Sequence, residues 1–192
     1  MLNIGILALQ GGYIAHQNVL AKLEVTSTLI TSPSQLDKVH GLIIPGGESS
    51  SMIKLLSSAM IDAIHQLHLR NTPILGTCAG SILLARNVEP PQFSFNFINI
   101  TATRNAYGRQ LDSFVDNIKI NSANEQLIEA VFIRAPKLKY PGPHVELLAQ
   151  YDNSPILIKE KNVLLATFHP ELTKSTFIHT LFMNECKLFA SK

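Results

Sequence analysis

NIGILALQGGYIAHQNVLAKLEVTSTLITSPSQLDKVHGLIIPGG, residues 3–47, decides the fold. NIGILAL at 3–9 is a short apolar run that stops at Gln10-Gly11-Gly12, and residues 13–23 follow with apolar side chains at helical spacing. That is a strand, a glycine turn and a helix. Residues 25–30 read as a second strand, 34–39 as a short helical turn, and GLII at 41–44 as a third strand ending at Pro45-Gly46-Gly47. Alternation vanishes from a strand when neither of its faces meets water, so helices must cover both sides of a parallel sheet. The expected class is α/β, a three-layer sandwich with a mostly parallel central sheet flanked by helices.

The pattern continues outward. Met52, Leu55, Leu56, Met60, Ile64, Leu67 and Leu69 fall at helical spacing over 49–69, as one helix or as two broken near Ser57-Ser58. Asn71-Thr72-Pro73 ends it, Ile74-Leu75 starts a very short buried strand, GTCAG at 76–80 is a sharp turn, and SILLA at 81–85 begins another helix. Residues 87–97, with Pro90-Pro91 and three phenylalanines, read as a connecting loop. Strands are then expected at 97–103, 113–120, 131–133, 145–151, 156–160 and 163–168. Residues 174–189 close the chain as an amphipathic helix, with Phe177, Ile178, Leu181, Phe182, Cys186 and Phe189 on one side. No repeat or interdomain linker interrupts the 192 residues, so a single domain over 1–192 is expected.

Composition narrows the function classes. With 46% hydrophobic and 16% charged residues, a substantial core needs no staples. The two cysteines, Cys78 and Cys186, lack the paired spacing of a zinc site or a disulfide scaffold, which predicts a reducing, cytoplasmic location. A net charge of +2 with no basic cluster argues against nucleic acid or an anionic membrane surface as partner. No apolar run approaches the roughly 18 residues of a membrane span, and no basic segment precedes the first strand, so neither membrane insertion nor secretion is expected.

Chemistry concentrates at three strand ends. Gly76-Thr77-Cys78-Ala79-Gly80 is a G-x-C-x-G pentapeptide between a strand and a helix, where small residues make room for the strained backbone of a nucleophile. Chance supplies such a pentapeptide in roughly one chain of this length per hundred. Its placement makes coincidence rarer still. A free thiol with pKa about 8.5 is only a few per cent ionised at neutral pH; making it mainly thiolate takes about 2.7 kcal/mol, and a helix N-terminus typically supplies about 0.3–1 kcal/mol. The remainder calls for an imidazole.

Of the seven histidines, His169 stands out. It follows the buried run at 163–168, at the strand end where parallel sheets place their sites, and Pro170-Glu171 come next. Proline biases His169 toward an extended backbone, so His169 and Glu171 project to one side and the carboxylate can hold the ring. That is the logic of a Cys-His-Glu triad. His65 and His68, three apart on a helix, are better read as a solvated face than as a metal pair, and no metal ligand set is expected. His16, His179, His40 and His144 are expected to be structural or exposed. Gly46-Gly47-Glu48-Ser49 after the third strand is not a Walker loop; paired glycines there offer backbone N–H groups to an oxyanion or a carboxylate.

The order PGGES, GTCAG, FHPELT resembles the class I, triad-type glutamine amidotransferases, whose domain is flavodoxin-like. More narrowly, GILALQG at 5–11, LIIPGGES at 42–49, RNAYGRQLDS at 104–113 and FIRAP at 132–136 are similar to the glutaminase-subunit family of two-protein pyridoxal 5′-phosphate synthases. The resemblance implies Cys78 as nucleophile, His169 as base and Glu171 as its orienting acid. It places Gly47, Glu48, Ser49, Arg104, Ile133 and Arg134 at glutamine-binding positions, and assigns the oxyanion hole to backbone N–H groups of Gly46 or Gly47 and Ala79, with Gln10 joining. An arginine suits an α-carboxylate. Read as a residue alone, Arg104 is equally a surface position on a strand.

The implied reaction is hydrolysis of L-glutamine to L-glutamate and ammonia through a γ-glutamyl thioester, with no cofactor. In the family the ammonia passes to a synthase subunit within a large hetero-oligomer, where it joins ribose 5-phosphate and glyceraldehyde 3-phosphate to form pyridoxal 5′-phosphate. Three departures stand out: Gly12-Tyr13-Ile14-Ala15-His16 lacks the usual acidic residue before the histidine, Ser49-Ser50-Ser51 replaces serine-threonine-threonine, and Ser81 stands where an apolar residue is usual. No function is carried onto residues 89–96. Two other readings stay open at this point, a glutaminase feeding a different acceptor synthase and a non-catalytic docking protein with the same fold.

Overall fold

The computed structural model describes residues 2–104, 113–121 and 126–191. The opening stretch folds as β1 (Asn3–Leu7), α1 (Tyr13–Lys22), β2 (Thr26–Ile30), a 3₁₀ turn (Pro33–Lys38) and β3 (Gly41–Ile44). The next helical run is two helices, α2 (Ser49–Leu55) and α3 (Ser58–Leu69), because Ser57 leaves the helical conformation and its hydroxyl caps α3 by accepting the Met60 N–H at 3.2 Å. β4 (Ile74–Thr77) and α4 (Ala79–Leu84) flank Cys78.

β1, β2, β3 and β4 run parallel with β12 (Val163–Ala166), which pairs with β4 from Val163↔Ile74 to Ala166↔Thr77. β11 (Ser154–Glu160) and β10 (Glu146–Tyr151) add antiparallel strands, giving the seven-stranded order β10-β11-β12-β4-β3-β1-β2. Apolar side chains alternate between two cores. Leu42, Ile44, Ile74, Val163 and Leu165 face the layer that holds α2, α3 and α4. Ile43, Leu75, Leu164 and Ala166 face the layer that holds Leu20 of α1 and Ile178, Phe182 and Cys186 of α5 (Phe177–Ala190). This two-sided burial is why the central strands read as unbroken apolar runs.

Two elements depart from the sequence reading. Residues assigned to a helix end and a loop form β5 (Ala85–Glu89), parallel to β6 (Ile98–Thr103). Only Ala85 and Val88 of its five residues are buried, too thin a signal to read as a strand. β9 (Lys137–Lys139), antiparallel to β6, likewise buries only Leu138. β7 (Ser113–Lys119) and β8 (Leu127–Ile133) make a separate antiparallel ribbon whose inner face, with Ile118, Ile128, Ala130 and Phe132, packs on the α1 and α5 side. Of the block 104–113, residues 105–112 lie outside the described residues. Among the described residues, no helix is long and apolar enough to cross a membrane.

Candidate active site

Parallel pairing aligns the C-terminal ends of β1, β3, β4 and β12, so the segments carrying Gln10, Gly46 to Glu48, Cys78 and His169 leave the sheet at one edge. Cys78 sits at φ 47°, ψ −105°, a conformation that costs a side-chain-bearing residue about 1–3 kcal/mol. Its surroundings fix it there. The Cys78 N–H donates to the Ala166 carbonyl at 2.9 Å, and its carbonyl accepts the Ser81 N–H at 3.1 Å and the Ser81 hydroxyl at 2.6 Å. The polar residue at position 81 is thus fully buried and tied to the elbow. Gly80 lies so close to β3 that a Cβ there would fall 2.0 Å from the Ile44 carbonyl oxygen. Only glycine permits that approach.

His169 follows β12 by way of buried Phe168, and its N–H donates to the Val131 carbonyl of β8 at 2.8 Å. Pro170 then starts a 3₁₀ turn (Pro170–Leu172) that folds Glu171 back beneath the ring. His169 Nδ1 and Glu171 Oε1 are 2.7 Å apart, and the ring also hydrogen-bonds the Cys78 side chain. Burial pulls the imidazole pKa down, but the hydrogen bonds to Cys78 and Glu171 and the negative charge of both raise it further, to about 10. Burial pushes the Glu171 carboxyl up, yet the neighbouring His16 and His169 outweigh it and hold it below the usual carboxylate range. Both directions describe an imidazolium held on the Glu171 carboxylate. The Cys78 thiol also approaches the Ile133 carbonyl at 3.7 Å.

A cleft of about 210 Å³ opens over Cys78, smaller than the roughly 300–1,000 Å³ of drug-sized sites and suited to one small polar metabolite. Gln10, Gly47, Glu48, Ser49, Cys78, Ala79, Arg104, Ile133, Arg134 and His169 all line it, so the sequence-predicted site residues converge there with two exceptions. Glu171 lies behind His169. Gly46 packs against the back of the pair, where a Cβ would fall 2.4 Å from His169 Cε1 and 3.1 Å from Cys78 Cβ. Arg104 is not a detached surface position: its Nη2 is 3.6 Å from Glu48 Oε1. Glu48 caps α2 through the Ser50 N–H and accepts the Ser50 hydroxyl, and these bonds, with Arg104 adding, hold its carboxyl low. Gln10 Oε1 accepts the Glu48 N–H at 3.0 Å, joining the first loop to the third.

Sequence reasoning missed Ile82, which lines the cleft, and Gln92, whose Oε1 accepts the Ser49 hydroxyl at 3.2 Å. It also missed the group behind Glu171. His16, Thr77 and His179, fully buried, lie together there although they are far apart in the chain. His65 and His68 are not the solvated face expected of them: both are half-buried against aromatic rings, His68 stacked on Phe97 at 4.0 Å and His65 edge-on to it at 5.1 Å.

A strained cysteine between a strand and a helix, a His-Glu pair and a small charged cleft at one edge of a parallel sheet together make the layout that a triad-type amidohydrolase requires. The profile of the SNO glutamine amidotransferase family matches residues 6–188, and the chain belongs to that family. It is 43% identical over 188 residues to the pyridoxal 5′-phosphate synthase subunit PdxT of Dictyoglomus turgidum, covering 96% of this chain and 99% of that protein. The PdxT of Thermosipho africanus is 44% identical over 188 residues, covering 97% of this chain and all of its own. Among solved structures, a glutamine amidotransferase superposes with a TM-score of 0.90 at 32% identity, covering 96% of this chain and 98% of its own. The glutaminase domain of Trypanosoma brucei CTPS, solved with acivicin bound, shares the fold at TM-score 0.56 and 13% identity, over 98% of this chain and 94% of its own.

Proposed function

We propose that this chain is the glutaminase subunit of a pyridoxal 5′-phosphate synthase, one catalytic domain that hydrolyses L-glutamine and delivers ammonia to a synthase subunit in a hetero-oligomer. The observation that carries this reading is the line Cys78, His169, Glu171 at the head of a cleft whose wall bears the Arg104–Glu48 ion pair. A zwitterionic amino acid is the complement of such a pair. Its α-carboxylate takes the guanidinium and its α-ammonium the carboxylate, with Ser49, Ile133 and Arg134 enclosing the chain.

The side-chain amide then lies over Cys78. Sulfur attacks the amide carbon, and the oxyanion is met by backbone N–H groups of Gly47 and Ala79, with Gly46 and the Gln10 loop shaping the hole. His169 Nε2 gives its proton to the leaving nitrogen, ammonia departs, and a γ-glutamyl thioester remains. His169, now neutral, takes a proton from water as that water attacks the thioester carbon. Glutamate leaves and the Cys78–His169 pair is restored. Glu171 stays ionised throughout and stabilises the imidazolium on each side of the cycle.

The names of the relatives favour a pyridoxal phosphate synthase over another acceptor. The thiol chemistry fits a cytoplasmic enzyme, where a nucleophilic cysteine stays reduced. The test mixes the purified chain with a pyridoxal 5′-phosphate synthase partner subunit and glutamine. Glutamate release that a Cys78→Ala variant lacks, with a glutamine-analogue chloroketone labelling Cys78, is expected. Neither release nor labelling in the presence of the partner refutes the reading.

A further inference from the structure

Glu171 presents two carboxylate oxygens, and the triad uses one. Oε1 takes the His169 ring at 2.7 Å, while Oε2 lies 3.4 Å from His16 Nε2, both side chains being 1% exposed or less. The same His16 nitrogen is 3.1 Å from Thr77 Oγ1, and the other, Nδ1, is 2.9 Å from His179 Nε2. His179 Nδ1 and Glu171 Oε2 are both buried with no hydrogen-bond partner, so the approach of His16 Nε2 to Oε2 is a close polar contact rather than a hydrogen bond. α1, β4, α5 and the turn after β12 each contribute one group, so the residues facing His16 are Thr77, His179, Glu171 and, beyond it, His169.

One arrangement of protons leaves the least unpaired in this cluster. If His16 carried its proton on Nδ1, it would donate to His179 Nε2, the His179 proton would sit on Nδ1 as an orphaned buried donor, and a bare His16 lone pair would face the Glu171 carboxylate. Both are costly. With the protons on Nε2 of both rings, His179 donates to His16 Nδ1, and His16 donates to Thr77 Oγ1 with the positive end of its N–H dipole facing Glu171 Oε2 at 3.4 Å. The partnerless ring atom is then only an unprotonated nitrogen. Burial keeps both rings neutral: desolvation lowers His16 against the pull of Glu171, and lowers His179 to about 3.

We propose that His16, held in its Nε2–H tautomer by His179 and Thr77, is a positioning residue that clamps the second oxygen of Glu171 and so sets the orientation of the His169 ring. The inference rests on the glutaminase reading above. It also gives the second residue of G-T-C-A-G a part, since Thr77 precedes the nucleophile and braces the clamp on the opposite face of β4.

The test assays glutamate release by the full chain with its synthase partner for His16→Gln, whose terminal amide reaches the place of Nε2, and for His16→Leu, which donates nothing. His16→Leu is expected to lower kcat about 10- to 100-fold, the usual effect of losing a group that orients a reacting residue, with KM little changed. The acid limb of its pH profile moves up, because Glu171 loses the N–H dipole that faces its charged form. His16→Gln recovers most of the loss. Equal activity in wild type and His16→Leu, or equal losses in both variants, overturns the proposal. Imidazole nitrogen NMR of the unaltered chain decides independently of any variant: a neutral Nε2–H tautomer at His16 near pH 7 is expected, and an Nδ1–H or doubly protonated ring refutes it. A wild-type protein without glutaminase activity would sink the functional reading while leaving the tautomer measurement standing.

Discussion

Gly46→Ala probes the catalytic geometry with a single methyl group. Gly46 has no need of a left-handed backbone; what it supplies is space behind the catalytic pair. An alanine Cβ would fall 2.4 Å from His169 Cε1, whereas ordinary contacts begin near 3.4 Å, so about 1.0 Å must be found by moving the ring. The ring cannot swing freely, because Nδ1 is bonded to Glu171 and the backbone N–H to Val131. Cys78 Cβ, 3.1 Å from the same point, blocks sliding toward the nucleophile. A misplacement of about 1 Å costs on the order of 10²-fold in rate. We expect kcat to fall about 100-fold with KM for glutamine changed little, since the cleft wall bearing Arg104 and Glu48 is untouched. Steady-state glutamate release with the partner subunit reads the first effect, and a thermal melt confirms the fold. A Gly46→Ala enzyme within threefold of wild type would show that His169 has slack the argument denies.

Three further expectations rest on separate features. Cys78→Gly should be more stable than Cys78→Ala by about 1 kcal/mol, the reverse of the usual order, because only glycine adopts φ 47°, ψ −105° without strain; urea melts that rank alanine higher would contradict the strained elbow. Arg104→Gln should raise KM about 10- to 100-fold with kcat nearly kept, the worth of one charge-assisted hydrogen bond to a carboxylate, and an unchanged KM would remove Arg104 from the substrate clamp. His179 stays neutral in the fold down to about pH 3 while its unfolded counterpart protonates near 6.5. Its folded pKa is depressed, so the stability it contributes is present above pH 6.5 and is lost as pH falls toward 3. His179→Gln should therefore flatten the pH dependence of unfolding free energy between pH 6 and 4 by about one proton, roughly 1.4 kcal/mol per pH unit; an unchanged slope would place the proton elsewhere.

The parts of the fold legible in the sequence are those specified locally. β1, β3, β4 and β12 are buried on both faces, and each is followed by a turn with its own chemistry, so short windows revealed both the sheet and its active edge. The meeting of Cys78, His169 and Glu171 was legible because G-x-C-x-G and H-P-E each compress a geometric requirement into a few consecutive residues. β5 and β9 were not, since two buried residues and one cannot establish a period. His16 and His179 were not because their meaning is a contact across 163 positions. On its own helix each is a polar residue in an amphipathic pattern. The turn under Glu171 was half legible: proline predicted that His169 and Glu171 share a side, and the 3₁₀ geometry that achieves it appeared only in the structure.

The end of β8 works as a gauge for the whole site. Val131 and Ile133, two residues apart, turn their carbonyls to the same side, one taking the His169 N–H at 2.8 Å and the other the Cys78 thiol at 3.7 Å. The separation of Cys78 and His169 is thereby measured against one repeat of a single strand, and both residues read the same edge. That edge belongs to a two-stranded ribbon held in register by seven paired positions, from Ser113↔Ile133 to Lys119↔Leu127. A slip of one residue would turn Ile128, Ala130 and Phe132 from the buried face to the other side of the ribbon. The spacing of Cys78 and His169 is therefore calibrated by a ribbon that touches both through its backbone alone.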